Sequence, residues 1–77
     1  MFQELDTVVL KRDDSSNSLQ SGDIGAIVHC HVDQWTYEVE FVTADGSTIA
    51  VATLSEDDIR PMNENEILHV RAVRTVA

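Results

Sequence analysis

Cysteine, proline and glycine are scarce in this 77-residue chain: one Cys, one Pro and three Gly. The single cysteine, Cys30, excludes an intramolecular disulfide and with it the secreted, disulfide-stapled class. Aromatic residues are also few, namely Phe2, Trp35, Tyr37 and Phe41. Three of them share one parity along a single stretch, the pattern of a core, so neither a methyl-lysine cage nor a proline-ligand groove is expected. Positive charge is short as well. Five Lys+Arg stand against fourteen Asp+Glu, for a net charge of −9. The cations, Lys11, Arg12, Arg60, Arg71 and Arg74, are scattered along the chain. Such a field repels a phosphate backbone and an anionic membrane, so neither nucleic acid nor lipid is an expected partner. The start of the chain lacks the basic stretch and apolar run of a secretory signal, and no apolar run approaches the roughly 20 residues of a membrane span. A cytoplasmic location is the expectation, and a basic protein is the partner that the charge suits.

Apolar residues make up 43% of the chain, and their spacing has period two more often than 3.6. A single small domain of this length buries about 60% of its unfolded surface. Residues 6–11 (DTVVLK) read as a first strand. Residues 12–20 are polar and rich in Ser, Asp and Asn, an exposed loop pinned to the core by Leu19. Residues 24–32 (IGAIVHCHV) read as a second strand. Strict alternation places Ala26, Val28, Cys30 and Val32 on one face and Ile27, His29 and His31 on the other. After a tight turn at Asp33 and Gln34, residues 36–42 (TYEVEFV) point Tyr37, Val39 and Phe41 inward and Glu38 and Glu40 outward, as in an antiparallel strand with one wet face. Asp45-Gly46 marks a hairpin. Residues 47–53 return, with either Ile49 and Val51 or Ala50, Ala52 and Leu54 facing inward. The small alanines of the second set leave room opposite Tyr37 and Phe41. A short turn follows near residues 55–58, capped by Ser55, and a short strand runs through Arg60-Pro61. Over residues 66–77, Leu68, Val70 and Ala72 fit one strand face, whereas Ile67, Val70, Arg71 and Arg74 fit a helix; a strand from Glu66 to about Val70 is preferred. The expected core is Val8, Leu10, Val28, Tyr37, Val39, Phe41 and Leu54.

This order predicts an all-β domain: a small SH3-like five-stranded barrel with a long first loop, one 3-10 turn near residues 55–58 and an extra C-terminal segment. The barrel is expected over residues 1–62 and the extension over 63–77. The blocks LDTVVL (5–10), GDIGAIV (22–28), YEVEFV (37–42) and residues 54–61 resemble, in that order and spacing, a bacterial family of small uncharacterised SH3-like proteins. The resemblance covers residues 5 to 62. The Gly22-Asp23-Ile24-Gly25 turn is also similar to that of KOW-type barrels of ribosome-associated and transcription factors. The resemblance implies a fold and carries no catalytic residue.

No enzymatic chemistry is expected. The carboxylate pairs Asp13/Asp14, Glu38/Glu40 and Asp57/Asp58 lack a cleft that would raise one pKa. Gly22-Asp23-Ile24-Gly25 enters a strand rather than a helix, so it offers no helix N-terminus to an anion. Cys30 reads as a small core residue. His29 and His31, two apart on a strand, stand side by side. Either they pinch a metal, which needs a third ligand such as His69, Glu38 or Glu40, or they pair with those carboxylates on a solvated face. The second reading is preferred, so no metal and no cofactor are expected. Trp35, at a hairpin tip, is either a partner anchor or a lid over the barrel end. The expectation is therefore a non-enzymatic, acidic protein-binding module that neutralises or regulates a basic partner, as an antitoxin or immunity protein does. Its contact residues are Trp35, Glu38, Glu40, Leu68, Val70 and Arg71. A homodimer through residues 66–73 is also expected, with Arg71 and Arg74 meeting carboxylates of a second copy; the competing outcome is a tail that folds back in its own chain as an extra strand beside residues 6–10. The alternatives are a metal-binding protein using His29 and His31, and a ribosome- or RNA-associated barrel.

Overall fold

The computed structural model describes residues 2–73. Five antiparallel strands form one sheet: β1 (Thr7–Leu10), β2 (Ile24–Cys30), β3 (Thr36–Val42), β4 (Thr48–Ser55) and β5 (Ile59–Pro61). Their order across the sheet is β4-β3-β2-β1-β5. The architecture is all-β, but the sheet does not close into a barrel. β5 has three residues and pairs with β1, through Val8↔Pro61 and Leu10↔Ile59. No ladder joins it to β4, from which it is separated by the 3-10 turn Glu56–Asp58. Pro61 brings no N–H to extend the pairing. A second 3-10 turn, Ser15–Asn17, lies inside the long loop, which the sequence left irregular. Among the described residues no helix is long and apolar enough to cross a membrane.

The core gathers on one face. Val8, Leu10, Leu19, Ile27, Tyr37, Val39, Phe41, Ala52, Leu54 and Ile59 are buried together, with Phe2, Cys30, Ile49 and Ala50 packed against them. Leu19 pins the loop as its lone apolar side chain predicted. β3 spans the residues its alternation named, and Phe41 faces Ala50, Val39 faces Ala52 and Tyr37 faces Leu54 across β3 and β4. The small residues of β4 thus make room for the rings of β3, which settles the face that the sequence left open.

β2 departs from the expected alternation. A bulge between Ile27 and His29 inserts Val28 as an extra residue, so the register runs Ile27↔Val39 and then His29↔Glu38. A bulge shifts every later side chain by one face. Val28, expected in the core, is therefore 42% exposed, and Ile27 takes its place with no exposure. Beyond the bulge, Cys30 turns inward, as expected, while His29 and His31 keep the outer face.

The C-terminal segment is not the expected strand. Residues 62–73 contain no strand. The Arg60 guanidinium clasps Glu66 through two bonds of 2.8 and 2.6 Å. Arg71 clasps Asp23 with Nε on Oδ1 at 2.8 Å and Nη2 on Oδ2 at 2.5 Å, and donates to Ser18 O at 3.0 Å. Met62, Ile67 and Leu68 line a shallow cleft with Val9 and Ile24. Val9, between Ile24 and Arg60 in the sheet, is 5% exposed although it is not part of the core cluster. Two ion pairs hold the C-terminal segment in place of the backbone ladder that alternation implied.

Candidate functional site

The turn from β2 to β3 displays Trp35. The Asp33 carboxylate accepts the backbone N–H of Trp35 at 3.0 Å and of Thr36 at 2.9 Å, and the Thr36 hydroxyl at 2.7 Å. Gln34 takes the left-handed conformation that this turn needs, with φ 70. The Trp35 carbonyl in turn accepts the N–H of Glu56 at 2.8 Å. The backbone of Trp35 is thus held on both sides, while the residue stays 62% exposed. At this exposure Trp35 is not folded over the end of the sheet as a lid.

Carboxylates flank the tip along the chain. Asp33 precedes it, Glu56 is its backbone partner with Asp57 next in the chain, and Glu38 lies three residues along β3. The hydrogen bond from Thr36, followed by that from the Trp35 amide, holds the Asp33 carboxyl below the ordinary carboxylate range. Glu38 stands across from His29 and Thr53 on the outer face. It accepts His31 Nε2 at 2.5 Å and the Thr53 hydroxyl at 2.8 and 2.9 Å. The His31 bond, then the Thr53 bond, lower its pKa. An ionised carboxylate can only accept, so His31 Nε2 carries the proton in this pair. Glu40 faces Ala26 and Val51 and accepts the Thr48 hydroxyl at 2.8 Å. The outer face therefore offers fixed negative charge; a carboxyl held below its ordinary pKa is no proton donor near neutrality.

The His29 and His31 rings lie edge to face with centroids 5.3 Å apart. Among the described residues no group of three or more His, Cys, Asp or Glu is placed to hold a metal ion. Cys30 is half-buried, its Sγ pointing to Phe2 O at 3.7 Å.

The six expected contact residues do not form one patch. Trp35 lies beyond the end of β2 and Asp23, the partner of Arg71, lies at its start. Seven residues of strand separate them by roughly 20 Å. Glu38 belongs to the Trp35 end. Glu40 stands nearer the middle of the sheet. Leu68, Val70 and Arg71 belong to the far end, where Leu68 is 65% and Val70 90% exposed. Arg71 is engaged with Asp23 of its own chain, so it is not free to meet a second copy as expected; Arg74 lies outside the described residues. Burial pushes the Asp23 carboxyl up, but the Arg71 and Gln20 hydrogen bonds and the Arg71 charge bring it below its ordinary value. The segment around Arg71 forms one wall of a cleft of about 390 Å³ whose other lining includes Leu19, Ile24, Phe41 and Ile49. Asp23 and Glu66, missed by sequence reasoning, have partners too distant or too ordinary in spacing to be read from the chain. Asp33 left a local signal, a carboxylate three residues before a Thr at a turn.

A family model described as a domain of unknown function (DUF4926) matches residues 4–61. No curated protein and no solved structure matches the chain.

Proposed function

From the premise that the chain belongs to the DUF4926 family, we propose that it is a non-enzymatic interaction module that binds a basic protein partner at the Trp35 end of its sheet. The observation that carries this reading is Trp35 itself: a mostly exposed indole on a backbone fixed at both its N–H and its carbonyl, with Asp33, Glu38, Glu56 and Asp57 nearby in the fold. A rigid exposed Trp loses little entropy when it binds, and Trp is the residue most enriched at energetic centres of interfaces. The carboxylates supply attraction and orientation toward Lys and Arg, with a cation–π contact available on the ring. Neutralisation of a basic effector is one form that this binding takes.

Trp35 is the sole tryptophan, so its fluorescence reports on the site directly. Titration with short Lys-rich peptides is expected to shift the emission, with an affinity that falls as salt rises. Trp35→Ala, followed by NMR, should weaken binding by about 2 kcal/mol or more. Equal responses to Glu-rich and Lys-rich peptides would remove the reading.

We propose, second, that the chain self-associates through residues 66–73. Exposed Ile67, Leu68 and Val70 support this contact surface, and the charge pairing first expected of Arg71 does not. Light scattering that finds a monomer at high micromolar concentration would end it.

A further inference from the structure

The two edges of the sheet are unlike. β5 is short, carries Arg60 and ends at Pro61, features that blunt an edge. β4 spans eight residues, TIAVATLS, with neither a charge nor a proline. Among the described residues no strand is bonded to its far side. The polarity of that side follows from one hydrogen bond. Glu56 N–H donates to Trp35 O, which makes Trp35 and Glu56 a bonded pair at the head of the β3–β4 ladder. Bonded and non-bonded positions alternate in antiparallel pairing. Leu54, Ala52 and Ala50 therefore spend their backbone groups on β3, and Val51 and Thr53 point theirs outward. Val51 is also 52% exposed.

We infer that β4 accepts an added strand from the basic partner, a segment with a neutral β-branched centre and Lys or Arg at both ends. The inference rests on the basic-partner reading and deepens it. Charge selects the occupant. Asp45 stands before one end of β4, and Asp57 follows the other. A second copy paired antiparallel about Val51 would set Asp45 across from Asp57 of its mate, like charge against like. A strand with cations at its ends meets opposite charge at both, whichever way it runs. One end also arrives beside Trp35, whose carbonyl is bonded to Glu56. Main-chain bonds then supply affinity, and the flanking charges supply selection.

The probes are two peptides of alternating Val and Thr, one ending in Lys pairs and one in Glu pairs, added to the ¹⁵N-labelled full chain. The Lys-ended peptide is expected to shift and protect the Val51 and Thr53 amides, and to bind at least about tenfold more tightly than the Glu-ended one. Val51→Pro removes only an outward N–H, as Pro does on an edge strand, and should reduce binding about tenfold or more. Val51→Lys, at an exposed position, should do the same by repulsion and serves if the Pro variant fails to fold. Shifts confined to Trp35 and Glu38, or full binding by both variants, would overturn strand addition and leave the basic-partner reading standing. Equal binding of both peptides at β4 would overturn the charge selection and with it that reading. A dimer of the free chain abolished by Val51→Lys would overturn the choice of occupant.

Discussion

At Gly25 the backbone of β2 passes so close to β3 that an added Cβ would lie 2.7 Å from Val39 Cγ1, 2.8 Å from Phe41 Cε2 and 3.0 Å from Glu40 O. Two of those atoms belong to the centre of the core, so Gly25→Ala should cost about 1–3 kcal/mol by overpacking, read as a lower urea midpoint. Unchanged stability would mean that β2 can move away from β3 freely. Two valines make a complementary pair. Val39 has no exposure, and Val39→Ala should cost about 1–3 kcal/mol in lost burial and cavity. Val28 sits on the bulge, half in water, and Val28→Ala should cost no more than about 0.5 kcal/mol. The reverse ranking in chemical denaturation would put the bulge elsewhere. Val28 also shows where alternation stops being legible: nothing in IGAIVHC announces that one residue is skipped, because a bulge is fixed by the partner strand.

Among elements, β3 was fully legible because its inner residues are large, its outer residues at Glu38 and Glu40 charged, and its register against β4 unbroken up to Phe41. β4 runs two residues past its expected end, since Leu54 continues the inner face and Ser55 still pairs with Thr36. The C-terminal segment misled because Leu68 and Val70 alternate like a strand, yet pairing needs a free edge within reach. The chain there is held instead by Arg60 and Arg71, whose partners the sequence does not reveal. That attachment is acid-sensitive. The Arg60 hydrogen bond, followed by the Asn63 amide, brings the Glu66 carboxyl from 4.5 down to about 2. A depressed carboxyl contributes stability above its unfolded value and loses it as pH falls through the folded one. The Arg60–Glu66 clasp should therefore hold at pH 5 and release between about 4.5 and about 2. An NMR titration of the Glu66 carboxyl checks this; a midpoint near 4.5 would mean that the clasp does not form in solution.

For the molecule as a whole, every side chain of the core cluster comes from residues 8–59. A chain ending at Asn65 should therefore keep its far-UV circular dichroism. It should melt lower by about 4–8 °C for each kcal/mol lost with the two clasps. An unfolded truncation would make the C-terminal segment part of the fold rather than an attachment to it. Barrel closure was not legible in the sequence, because strand order and turn spacing are the same whether or not the first and last members of a sheet meet. The pairing of β1 with β5 has a kinetic consequence. β2, β3 and β4 are joined by short turns and can zip from their hairpins in microseconds. β1 must find β5 across about fifty intervening residues, from Leu10 to Ile59, and contacts so distant in sequence form late and slowly. Stopped-flow refolding should thus show a transition state in which the meander is built and β5 is still searching. Ile59→Ala would accelerate unfolding while leaving the folding arm almost unmoved, whereas Val39→Ala would slow folding itself.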